Sequence, residues 1–355
     1  TCAAGVLVCC AAFLTSASAP GSARFRWLGH GQVAGAWAPA AAAAAESEVQ
    51  TAADRKGAEK GAAATSRQAL VVFARFADEP AQPLPAWSGA LLDADAPGSL
   101  SHFYQTMSFG ALRLAGQVAP RAYAAAAPGS AYTAASATER GRYGQFALQI
   151  LRQADADVDL GRFDQDGDGF VDAVFLVLAS TPRNFLLGDA TGISGLGLDT
   201  VYVSDDRNAA GVRLRIDPRL GALQRGRTFA EAAGAMCHEY GHVLGLPDLY
   251  NIAWLRDRAA GPAEDSGGIG SWGLMGHGAS GWGGAGGPAA LCAWSRQKLG
   301  WTPVDTMEQV TEQVELQDID AGGAAYRIPL AGREYSLLEL RRRAGYYNRD
   351  IPAEG

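Results

Sequence analysis

The chain has 355 residues and a formal net charge of -7, with lysine scarce. That balance excludes the basic surface on which nucleic-acid binding depends, and the length suffices for a large catalytic domain with flanking segments.

Residues Cys2 to Leu14 form an apolar run followed by Thr15-Ser16-Ala17-Ser18-Ala19. This is the pattern of a signal-peptide core ahead of a small-residue cleavage site, and it is too short to span a bilayer. Pro20 hinders cleavage after Ala19, and Gly21-Ser22-Ala23 offers an alternative site, so residues 1–23 read as a signal peptide whose start is missing. Cys9 and Cys10 fit a lipid-acceptor pattern poorly. The expected location is extracellular, without a stable membrane span. Residues 24–67 are Ala-rich with scattered charge and no sustained period, which predicts a disordered propeptide remnant and linker of a zymogen.

Folded structure is expected from residue 68, with a short apolar β run at Ala69–Phe76. A helix follows from about Ala137 to Ala154, with Phe146, Leu148, Ile150 and Leu151 on its apolar face. Asp164-Gln165-Asp166-Gly167-Asp168-Gly169-Phe170-Val171-Asp172 then carries oxygens at positions 1, 3, 5 and 9 of a calcium loop, with Gly at 6 and the Phe170 carbonyl at 7. Position 12 is Phe175, and a strand follows instead of a helix, so the loop is of non-EF-hand type. Carboxylates packed this closely repel one another without a cation, and a structural Ca2+ held by Asp164, Asp166, Asp168, Phe170 and Asp172 is predicted. The run from Asp172 to Ala179 reads as a buried central strand.

Thr228 and Glu231 have capping-box spacing and open an apolar helix that runs into His238-Glu239-Tyr240-Gly241-His242. At 3.6 residues per turn His238 and His242 share one helical face and can hold one Zn2+. Glu239 lies beside that face, where a carboxylate can act as general base. Gly245 ends the helix in a left-handed residue, so the chain can fold back and offer Asp248 as third ligand, leaving the fourth position for water. Ser271 to Gly276 follows at the distance of a Met-containing turn, and Met275 is expected to floor the site. Glu264 is a second choice for the third ligand. His277 lies near enough in sequence to approach the metal and Tyr250 follows the turn where it could steady a tetrahedral intermediate, although loop and packing roles are commoner for both, and His30 and His102 receive no role.

HEYGHVLGLPDLY, GSWGLMGHGASGWG and PAALCAWSRQKLGW, in this order, resemble the secreted immune inhibitor A-like family of bacterial metallopeptidases. ALVVFARFAD, FYQTMSFGALRLAGQV and DQDGDGFVDAVFLVLA are similar to that family upstream, and the resemblance runs from about Gln68 to Trp301. It implies a metzincin-like zinc endopeptidase made as a precursor, usually with calcium, and acting on protein or peptide substrates. Most metzincins have His where this chain has Asp248, and Asp is the form expected in this family. The fold class expected is α+β: a mixed twisted sheet carrying the zinc helix, with an irregular Gly-rich region below the cleft. Residues 68–303 are read as the catalytic domain and 304–355 as the beginning of a truncated β-rich domain, the whole being a monomer.

Two readings compete with the peptidase. One is a calcium-stabilised extracellular binding module with a vestigial zinc site, which the intact Glu239 argues against. The other is a zinc hydrolase acting on a non-peptide bond. Outside the leader only Cys237 and Cys292 remain; a disulfide between them suits an oxidising compartment, while Cys237, beside a ligand in a buried helix, also reads as a small core residue.

Overall fold

The computed structural model describes residues 22–26, 64–251, 268–284, 286–307, 313–330 and 334–352. Most of the leader and linker lies outside these residues, as does Glu264. In chain order the strands are β1 (Ser22–Arg26), β2 (Thr65–Arg75), β3 (Leu112–Val118), β4 (Tyr123–Ala124), β5 (Ala173–Leu178), β6 (Gly192–Ser194), β7 (Tyr202–Arg207), β8 (Arg213–Ile216), β9 (Gly221–Arg225), β10 (Val304–Thr306), β11 (Gln313–Gln317), β12 (Ala325–Pro329) and β13 (Tyr335–Leu338). The helices are α1 (Leu100–Met107), α2 (Tyr143–Asp155), α3 (Phe229–Val243) and α4 (Ala293–Lys298).

The central sheet runs β3-β2-β5-β9-β6, with β4 also paired to β2. Its pairs are parallel except β6 against β9, so the sheet is mixed and its antiparallel member lies at the edge. The alternation of side chains sorts the apolar residues onto two faces. Leu70, Val72, Val174, Leu176 and Leu223 pack with Phe146, Ile150 and Leu151 of α2. Ala69, Val71, Phe175, Val177 and Ala222 pack with Phe103 and Tyr104 of α1 and with Ala233, Met236 and Tyr240 of α3. Both faces are therefore covered. This explains why β5 reads as an uninterrupted apolar run rather than an alternating one, and all six of its residues are buried.

Three boundaries differ from those expected. β2 begins at Thr65, because its first residues pair with β3 from Leu112 onward. α2 begins at Tyr143 rather than near Ala137. Residues ahead of it are drawn into backbone bonds with a neighbouring loop, Ala134 N–H to Asn184 O at 2.8 Å and Gly141 N–H to Leu186 O at 3.1 Å, which competes with helix formation. Ser22–Arg26, at the junction of the expected leader and linker, forms a strand antiparallel to β11, with Ser22 opposite Gln317 and Arg26 opposite Gln313. β11 stands apart from the three-stranded β10-β12-β13 sheet, and such an edge recruits a partner by backbone bonding whatever the partner's composition.

The C-terminal strands are joined to the segment around α4 through buried charge. Arg296 of α4 is fully buried, donates to Leu291 O at 3.0 Å and pairs with Asp320. Arg341 pairs with Glu339 at 2.7 Å and reaches the same Leu291 carbonyl at 3.3 Å. Tyr347 completes the α3-side core, its ring 4.9 Å from that of Phe103 and its hydroxyl 2.6 Å from His102 Nδ1. Cys237 and Cys292 are both buried free thiols.

α3 starts where its sequence says, with the Thr228 hydroxyl accepting from Glu231 N–H at 3.2 Å. The return arm of the capping box is redirected. Glu231 accepts from Arg227 N–H at 2.9 Å and from the guanidinium groups of Arg225 and Arg227 at 2.8–3.0 Å. Burial alone would raise the Glu231 carboxyl, but these donors outweigh it and hold the group down at about 2. The native state gains from the ionised form, so this stabilisation is present above the ordinary value of 4.5 and disappears as pH falls toward about 2. Glu231→Gln should therefore cost about 1–2 kcal/mol near neutrality. In denaturant unfolding followed across pH, the gap between wild type and variant should close between pH 4.5 and about 2.

Candidate metal centre

The C-terminal end of α3 builds the site. Gly245 adopts φ +90° and donates to His242 O at 2.9 Å, while Leu246 N–H reaches back to Gly241 O at 3.0 Å. This paired closure is a Schellman motif; it turns the chain sharply enough for Pro247-Asp248 to return beneath the helix. The return is fastened by Leu249 N–H to Met275 O at 2.7 Å.

The result is that His238, His242 and Asp248 place ligand atoms within 4.8 Å of one another. His238 Nε2 is 3.1 Å from Asp248 Oδ1, and His242 Nε2 is 3.4 Å from the same oxygen. Each imidazole is fixed from behind by a main-chain carbonyl: His238 Nδ1 faces Leu274 O at 2.9 Å and His242 Nδ1 faces Leu246 O at 2.7 Å. A carbonyl can only accept, so each Nδ1 donates to the carbonyl behind it, and each Nε2 is turned toward Asp248 Oδ1. Burial taken alone would raise Asp248, but the two histidines hold its carboxyl well below the usual range. His242 is shifted upward: burial opposes its charge, and Asp248 and Glu239 more than compensate. Two imidazole nitrogens and one carboxylate oxygen, with the Nε2 protons displaced on binding, suit a borderline divalent cation such as zinc.

Glu239 is buried, with 8% of its surface exposed, and burial raises its carboxyl against the opposing pull of His238 and His242. Met275 is fully buried beneath the helix, and a Cβ on Gly241 would meet its Sδ at 2.6 Å. The turn therefore lies directly under α3 without entering the ligand set. The Tyr250 ring stacks 6.4 Å from the His238 ring, and its hydroxyl is raised by burial and by the nearby Asp248 carboxylate. His277 lies 5.6 Å from the Tyr250 ring, outside the group of three, with its N–H on Gly270 O. The carbonyls of Leu274 and Leu246 have no counterpart in the sequence reading, because every residue has a carbonyl and no residue type marks it.

At the other end of β5, carboxylate oxygens of Asp164, Asp166 and Asp168 also come within 4.8 Å of one another. Asp164 Oδ2 accepts from Asn208 Nδ2 at 2.8 Å and Gly169 N–H at 3.0 Å, while its buried Oδ1 has no partner among the described residues. Asp168 is raised, chiefly by burial and then by its acidic neighbours after a bond from Phe170 N–H offsets part of the effect. Asp172 is not in this group. Its carboxylate turns to Gln68 N–H at 2.7 Å and Gln165 N–H at 3.2 Å, with Arg67 3.7 Å away, and burial pushes it up to about 6. Phe170 donates its N–H to Asp168 and lies under the Arg215 guanidinium at 4.0 Å. Arg67 also pairs with Asp166 at 3.0 Å, so a cation here would share Asp166 with a guanidinium.

Residues 224–303 match the family of the immune inhibitor A peptidase M6 catalytic domain. That segment holds α3, the Asp248 turn and the Met275 turn, and the match supports a metallopeptidase. The immune inhibitor A-like resemblance read from the motifs is thereby supported, whereas the binding-module reading gains nothing from the match. No curated protein matches the chain.

Proposed function

We propose that the chain is a secreted zinc endopeptidase that hydrolyses peptide bonds in proteins, with His238, His242 and Asp248 as ligands and Glu239 as general base. The observation that carries this reading is the convergence of two Nε2 atoms on one Asp248 oxygen, each imidazole oriented by a carbonyl behind it. A zinc ion held there would polarise the scissile carbonyl and acidify water. Glu239, adjacent and desolvated, takes the proton from the attacking water and passes it to the leaving amine. Burial raises its basicity, which suits that transfer. Asp248 would neutralise charge at the ligand set, and the Tyr250 ring would pack beside His238.

The reading extends to the rest of the chain. Residues 1–23 would direct export, the segment from 24 up to β2 at Thr65 would form a propeptide and linker, the catalytic region would run from β2 to 303, and 304–355 would form a β-rich region. No helix among the described residues is long and apolar enough to cross a membrane. A structural calcium ion would sit among Asp164, Asp166 and Asp168, satisfying the buried unpartnered Asp164 Oδ1. Asp172 would act there by tying the loop to β2 through Gln68.

Glu239→Gln should retain one zinc per chain by mass spectrometry and lose casein hydrolysis by at least about 100-fold. Near-normal activity in the zinc-loaded variant removes Glu239 from the mechanism. Asp248→Ala should lose zinc under dialysis that leaves the wild type loaded, since a donor and its charge both disappear, and Glu264→Ala should retain it. Calcium titration should raise the melting temperature of the wild type but not of a variant with Asp166 and Asp168 changed to Ala. Identical calcium responses would return the segment to an acidic surface turn.

A further inference from the structure

Gly192 and Gln224 stand directly opposite each other in the β6–β9 pair. They face α3: Gln224 also opposes Val177 on β5, and Val177 and Ala222 both belong to the α3-side core. Gln224 is fully buried there, and among the described residues neither its Nε2 nor its Oε1 has a hydrogen-bond partner. A buried carboxamide with both ends unpaired is exceptional, because it forfeits its bonds to water and gains none in return.

The space beside it is already claimed by Glu239. A Cβ built on Gly192 would lie 2.5 Å from Glu239 Oε1, 3.4 Å from Glu239 Cδ and 3.5 Å from Gln224 Cβ. The carboxylate and the root of the Gln224 side chain thus border one small volume. The carboxamide and the carboxylate are not bonded to each other as they stand, and rotation about the Gln224 side-chain bonds or one bridging water would join them. Gly192 is not among the residues with positive φ, so its backbone does not require glycine. The room for Glu239 does.

We infer that Gln224 and Gly192 are positioning residues for Glu239: the Gln224 carboxamide donates to the carboxylate from the sheet side, and Gly192 leaves the volume in which that carboxylate sits. This deepens the reading of Glu239 as general base and rests on it. Neither residue belongs to the ligand set. Their effect falls on where the base stands relative to the attacking water, and such placement governs turnover more than substrate affinity.

The test uses the zinc-loaded full chain with a fluorogenic peptide. Gln224→Met keeps side-chain length and volume while removing the donor, and Gly192→Ala fills the volume. For both variants kcat should fall by about 10- to 100-fold, with KM within about twofold of wild type, zinc content unchanged and Gln224→Met melting no lower than wild type. In a Glu239→Gln background, Gln224→Met should remove nothing further, since the group it positions is gone. Wild-type kcat in fully zinc-loaded Gln224→Met would overturn the inference while leaving Glu239 in its role. Zinc loss or a lowered melting temperature in Gln224→Met would also overturn it, by assigning Gln224 to the scaffold. Absence of zinc-dependent peptide hydrolysis in the wild type would instead fail at the underlying reading, and the two failures are separated by the wild-type assay.

Discussion

The contact between α3 and the turn at Met275 is the constraint on which the rest of the site depends. Gly241 has no side chain where Met275 Sδ comes closest, so the turn can press against the helix at the level of the histidines. Leu274 O then reaches His238 Nδ1, and Met275 O reaches Leu249 N–H, which anchors the Asp248 return. One close approach thereby orients the His238 ring and positions Asp248. Separating helix and turn by even the width of a methyl group would disturb both.

α3 is held from its other side by the sheet. Its apolar residues lie on the face formed by Val71, Phe175, Val177 and Ala222, so the helix is fixed between a rigid sheet and an irregular, glycine-rich segment. That asymmetry suits a hydrolase: the sheet supplies stiffness, and loops with little side-chain bulk can approach the helix closely. Polar groups that enter this layer are conspicuous. Glu239 lies there between the two histidines, and Gln224 has no hydrogen-bond partner among the described residues.

Charge is used differently at the periphery. Glu231 gathers two guanidinium groups at the start of α3, and Arg296 and Arg341 converge on one carbonyl to join the C-terminal strands to α4. The acidic loop before β5 is of the same kind. Asp164 is held by Asn208 of the β7–β8 hairpin and Asp172 by Gln68 of β2, so the loop links two strand systems whether or not an ion sits among its carboxylates.

Features carried by short-range rules were legible in the sequence: the HExxH spacing, the Thr228 cap, the left-handed Gly245 and the unbroken apolar run of β5. Each depends on residues within a few positions of one another, where helical or strand periodicity fixes the geometry. What the sequence could not supply were the partners that meet across long separations. The carbonyls that orient the histidines, the strand β1 paired to β11, and the shortening of α2 by the 184–188 loop are backbone matters, and backbone groups are identical at every residue. Asp172 makes the same point with a side chain. Its spacing fits a calcium loop, but Gln68 lies 104 positions earlier and presents an N–H at 2.7 Å, and only the parallel pairing of β2 with β5 could bring the two together.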